Sequence, residues 1–130
     1  MFTIDEINGM LDEIAAELPE EIFRELNGGV SLVPDTKRSE NDPKGGLYRL
    51  GEYRHDQMGR YVVLFYGSII EVHGNATPGA MRESLRKLLA HELTHHLESL
   101  AGERDLEIED KLQMERYLMG GEARRYRIKK

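Results

Sequence analysis

Apolar positions recur at helical spacing near both ends of the chain and in short continuous runs between them. Ile4, Ile7, Leu11, Ile14 and Leu18 follow at three- and four-residue steps, which predicts an amphipathic helix over Thr3 to Leu18. Thr3 as N-cap with Glu6 three residues on is the capping-box pattern that starts such a helix. Pro19 breaks it and opens a second short helix over Glu20 to Leu26, which Asn27-Gly28-Gly29 ends. Val30 to Val33 reads as a strand, and the polar, glycine-containing stretch from Asp35 to Gly46 as a loop. Leu47 to Tyr53 and Arg60 to Tyr66 are strand-like, with a polar connection around His55-Asp56-Gln57. The continuous run Tyr61 to Tyr66 is that of a strand buried on both faces. Gly67 turns or bulges the chain before Ser68 to Val72, a further short strand to whose edge an extended peptide could add. Thr77-Pro78 starts a long helix that runs to Ala101 and stops at Gly102. A last helix is expected over Glu107 to Met119, before Gly120-Gly121 and a basic tail over 121–130. Helices, then strands, then helices predict one α+β domain over residues 1–130, a mixed sheet of three or four strands packed by the N-terminal helices and the long late helix.

Composition narrows the function. There are 18 basic and 24 acidic residues, a net charge of -6, which argues against a nucleic-acid partner because phosphate contacts need clustered Lys and Arg. Arg124 to Lys130 is read as a solvated terminal run. With no cysteine, disulfides and thiolate metal sites are excluded, so a metal would be held by His, Asp and Glu. Asp5, Glu6, Asp12 and Glu13 spoil any signal-peptide pattern at the start, and no apolar run can cross a bilayer. The expected location is cytoplasmic, with no membrane partner.

The chemistry concentrates in His91-Glu92-Leu93-Thr94-His95. Residues four apart share a helix face, so His91 and His95 can aim both imidazoles at one ion. Glu92, rotated about 100° around the axis, falls beside that ion as a general base within reach of a coordinated water. Leu85, Leu89, Leu93, Leu97 and Leu100 form a stripe roughly opposite the two histidines, which buries the helix and leaves them to a cleft. His96 lies at the edge of this stripe and reads as a packed, hydrogen-bonded histidine. Zinc follows from the ligand types, although manganese, iron, cobalt and nickel suit two histidines and a carboxylate as well.

The stretch Leu89-Ala90-His91-Glu92-Leu93-Thr94-His95-His96, late in a short α+β chain, resembles the small bacterial zincin-like metallopeptidases called minimal zincins. The resemblance implies zinc on His91 and His95 and a general-base role for Glu92, and it names no substrate. Glu98 shares the face of the two histidines, yet three side chains along one helix surround an ion poorly, so a third ligand is sought beyond the helix. In that family a glycine soon after the second histidine turns the chain, and an acid three positions later returns to the metal. Here the glycine is Gly102, which makes Asp105 the implied third ligand, with Glu103, Glu107, Glu109 and Glu98 as rivals and His73 as the non-acidic alternative. Tyr117 and Tyr126 read as packing residues rather than oxyanion donors. The expected function is a zinc metallopeptidase acting on a peptide or protein substrate. The alternative is a non-catalytic metal-binding or interaction domain that keeps the zincin fold.

Overall fold

The computed structural model describes residues 1–40 and 47–104. Helix α1 spans Ile4–Ala16, and a 3-10 turn follows at Glu20–Phe23. Strands β1 (Gly29–Val33), β2 (Lys37–Arg38), β3 (Tyr48–Arg49), β4 (Gly51–Asp56) and β5 (Gly59–Phe65) come next, then helices α2 (Tyr66–His73) and α3 (Pro78–Arg104). The α+β class and mixed sheet are as the pattern predicts. The sheet has the order β1-β5-β4, with β1 parallel and β4 antiparallel to β5, while β2 and β3 form a separate two-stranded ribbon.

The capping box closes α1 as expected: the Glu6 amide donates to the Thr3 hydroxyl and the Thr3 amide to the Glu6 carboxylate. Ile7, Leu11 and Ile14 of α1 meet Met81, Leu85, Leu89, Leu93 and Leu97 of α3 and Val62 and Leu64 of β5 in one core. Arg82 and Arg86 of α3 pair with Glu13 and Glu17 of α1 outside it. These pairs are solvent-facing and add little beside the buried apolar surface.

Three expectations change. Ser68 to Val72 is no strand but part of α2. Its β-branched residues suit a strand, yet Tyr66, Ile69, Ile70 and His73 also recur at helical spacing, and burial of Ile69 settles the choice. Gly67 donates its amide to the Asp35 carbonyl, and the Ser68 hydroxyl bonds both the amide and the carbonyl of Lys37, which anchors the first turn. A Cβ at Gly67 would stand 2.9 Å from the Asp35 oxygen, so glycine permits this approach. The stretch Asp35 to Gly46 is not all loop, because Lys37–Arg38 pairs with Tyr48–Arg49. Gly102 does not end α3, which continues to Arg104; a helical glycine costs about 1 kcal/mol against alanine, which the packed face can carry. The helix expected over Glu107 to Met119 and the tail lie outside the described residues.

Strand β4 positions the site. The Phe65 amide donates to the Leu50 carbonyl at 2.9 Å, in line with the pairing of Glu52 with Val63 and Arg54 with Tyr61. Antiparallel pairs alternate, so Leu50, Glu52 and Arg54 turn their peptide groups to β5, whereas Gly51 and Tyr53 turn theirs to the outer edge. Among the described residues no backbone group pairs with Gly51 or Tyr53 on that side.

Candidate metal centre

Helix α3 presents the motif as its apolar stripe requires. Leu89, Leu93, Leu97 and Leu100 are buried, and His91 and His95 are exposed on the other side. The two rings meet edge to face, with planes at 86° and Nε2 atoms 3.3 Å apart. Two nitrogens bound tetrahedrally to zinc at their usual 2.0–2.1 Å stand about 3.3 Å apart, so the pair already has the spacing of a tetrahedral bite. His91, Glu92 and His95 together place ligand-capable atoms within 4.8 Å of one another, a group that could hold a metal ion.

Glu92 differs from the histidines in being buried, 5% exposed. Burial pushes its carboxyl above the usual carboxylate range, against the pull of His91, His95 and Arg49. A Cβ at Gly51 would lie 3.4 Å from Oε2 of Glu92 and 2.7 Å from Cδ2 of Leu64, so glycine lets β4 close on this carboxylate.

The Nδ1 atom of His95 sits 3.4 Å from Oε1 of Glu98. A proton on that Nδ1 faces the carboxylate and leaves the Nε2 lone pair for an ion, the arrangement in which an outer carboxylate orients a ligand histidine. Glu98 thus stands behind His95 and is not part of the group that could hold the ion. His73, at the end of α2, does not line the cleft. Glu103 lies in the last turn of α3, and Asp105, Glu107 and Glu109, with Tyr117 and Tyr126, lie outside the described residues.

His96 is the packed histidine its position predicts. It is fully buried, with Nε2 2.7 Å from the Arg24 carbonyl and Nδ1 3.0 Å from the Tyr53 hydroxyl. A carbonyl only accepts, so Nε2 carries the proton and Nδ1 accepts from the tyrosine. Burial holds its pKa below the usual histidine value, against the Arg24 hydrogen bond. Its unfolded counterpart titrates near 6.5, so the unfolded chain takes up the proton first as pH falls. Stability of the metal-free protein is expected to be full above about pH 6.5 and to decline below it. Urea midpoints at pH 7.5 and 5.5 check this, with a smaller decline in His96→Gln.

The histidines and Glu92 open on a cleft of about 960 Å³ whose other wall is Arg49, Leu50, Gly51, Glu52 and Tyr53. Within it Glu52 is held by Lys37 and, at 2.7 and 2.8 Å, by Arg54. Burial raises the Glu52 pKa, but these bonds outweigh it and hold the carboxyl below its usual range. Periodicity along the chain cannot reveal this wall, because β4 reaches the motif only through tertiary packing.

Fold and site together define a small α+β domain whose long helix carries a His-Glu-His group able to hold a metal ion. A solved structure, a conserved hypothetical protein from Thermo thermophilus, is similar: it is 33% identical, with 77% of this chain and 98% of that one covered and a TM-score of 0.66. The chain belongs to the family of that protein. No protein-family model and no curated protein matches it. Among the described residues no helix is long and apolar enough to cross a membrane.

Proposed function

We propose that this protein is a zinc-dependent metallopeptidase of the minimal-zincin kind. The observation that carries the reading is the 3.3 Å separation of the two Nε2 atoms beside the buried Glu92, at the wall of a cleft. Zinc held by His91 and His95 would supply Lewis acidity and lower the pKa of a coordinated water toward about 7. Glu92 takes the proton of the attacking water as its oxygen bonds to the peptide carbonyl carbon. It then passes that proton to the amide nitrogen as the C–N bond breaks, leaving a carboxylic acid and an amine, which exchange the remaining proton to become carboxylate and ammonium. Its raised proton affinity suits a base that must also give the proton back. None of the hydrogen bonds among the described residues engages its carboxylate, which leaves both oxygens to the reaction.

A peptide fits the site better than a small ester or amide because of β4. The outward peptide groups of Gly51 and Tyr53 offer an extended chain a strand to pair with beside Glu92. This is the edge role expected of Ser68 to Val72, moved to a different segment. The test is to load the protein with zinc and incubate it with a mixture of synthetic peptides, following products by mass spectrometry. Metal-dependent cleavage absent from the chelated protein is expected. A protein that binds zinc yet cleaves nothing would leave the binding-domain reading in its place.

A further inference from the structure

Strand β4 and helix α3 run in the same direction across the cleft, and their contacts keep step. Tyr53 bonds His96, and Gly51 lies against Glu92. Two residues of strand rise about 6.7 Å and four of helix about 6.0 Å, so each further pair along β4 matches one turn of α3. Two residues back from Gly51 is Arg49, which comes level with Leu88, one turn before Glu92. Arg49, Leu88 and His91 do line the same cleft.

Arg49 is the cation of that lining, and among the described residues its guanidinium is weakly engaged. Its Nε is 3.7 Å from Oε1 of Glu52, beyond hydrogen-bond length, and Glu52 already takes Lys37 and Arg54. No described group bonds its two terminal nitrogens. A half-exposed guanidinium with a free fork on a cleft wall matches a planar carboxylate, which it binds through two parallel hydrogen bonds.

We propose that Arg49 binds the C-terminal carboxylate of the substrate, making the protein a carboxypeptidase that removes one or two residues from the ends of short peptides. This deepens the metallopeptidase reading and rests on it. Charge sets the polarity: Arg49 repels a peptide's amino terminus and attracts its carboxyl terminus. A peptide ending at Arg49 therefore runs antiparallel to β4. The roughly 6.7 Å from Gly51 to Arg49 leaves room for only one or two residues beyond the carbonyl that faces Glu92.

The test is calorimetric binding to the zinc-loaded Glu92→Gln protein, which turns over slowly. Three probes are used: N-acetyl-tetraalanine with a free carboxylate, its C-terminal amide, and an amide with glutamate as last residue. The free acid is expected to bind roughly tenfold to a hundredfold tighter than the alanine amide, the worth of a charge-assisted pair. Adding Arg49→Gln should erase that preference with the melting temperature unchanged, and Arg49→Lys should restore part of it. Equal binding of acid and amide, or binding of neither, overturns the assignment. A glutamyl amide as tight as the free acid overturns the terminal reading and moves the carboxylate to a side chain. Zinc-loaded wild type separates the two readings: equal cleavage of acid and amide keeps the peptidase and rejects Arg49, whereas cleavage of neither rejects the peptidase itself.

Discussion

Glu92→Gln is expected to lower the rate of peptide cleavage by about 10²- to 10⁴-fold, the contribution of a positioned general base, while zinc content stays at the wild-type level. Glutamine has the shape of glutamate and cannot take the proton. The substitution also removes a charge from a buried position, where ionisation is disfavoured, so the folded chain should be at least as stable as wild type at neutral pH. A loss of turnover therefore cannot be ascribed to unfolding. Parallel measurements of kcat, zinc content and melting temperature check all three statements. Loss of zinc together with turnover would make Glu92 a ligand, which its membership of the His91, Glu92 and His95 group permits geometrically.

The second large effect concerns the histidines. Replacing His91 or His95 by alanine is expected to weaken zinc binding by more than about a hundredfold, beyond the ten- to hundredfold cost of losing an outer partner. Glu98→Ala should fall at the lower end of that outer range, about tenfold, because Glu98 touches only the far nitrogen of an exposed His95. Competition with a chromophoric chelator measures all three. Thermal stability offers a second readout: a ligand at a hundred times its Kd adds about 2.7 kcal/mol to folding, a gain the histidine variants should forfeit. Both histidines lie on the exposed face, so their removal should leave the metal-free fold intact. Equal losses in the Glu98 and His95 variants would place Glu98 on the ion.

Much of this was legible in the sequence wherever one element carries its own signal. The capping box at Thr3 and Glu6, the stripe from Leu85 to Leu100 and the His91–His95 spacing are local, and the structure shows each as read. The tie of His96 follows from the same stripe, since a histidine at its edge must be buried and satisfied. Segment Tyr66 to His73 misled because isoleucine and valine favour strands while their spacing also fits a helix, and the choice is made by tertiary packing: burial of Ile69 and the contacts of Gly67 and Ser68 with Asp35 and Lys37. Arg49, Gly51 and Glu52 gave no local sign of a role. Their place opposite α3 depends on the register of β4 with β5, which brings residues about forty positions apart into one cleft. The implied ligand Asp105 lies outside the described residues.

The most direct test of the centre is anomalous diffraction at the zinc edge from crystals of the zinc-loaded protein. One anomalous peak should lie between His91 and His95, about 2.0–2.1 Å from each Nε2, with the Glu92 carboxylate beside it. A peak elsewhere on the chain, or none at full zinc loading, would contradict the metal centre and the peptidase built on it.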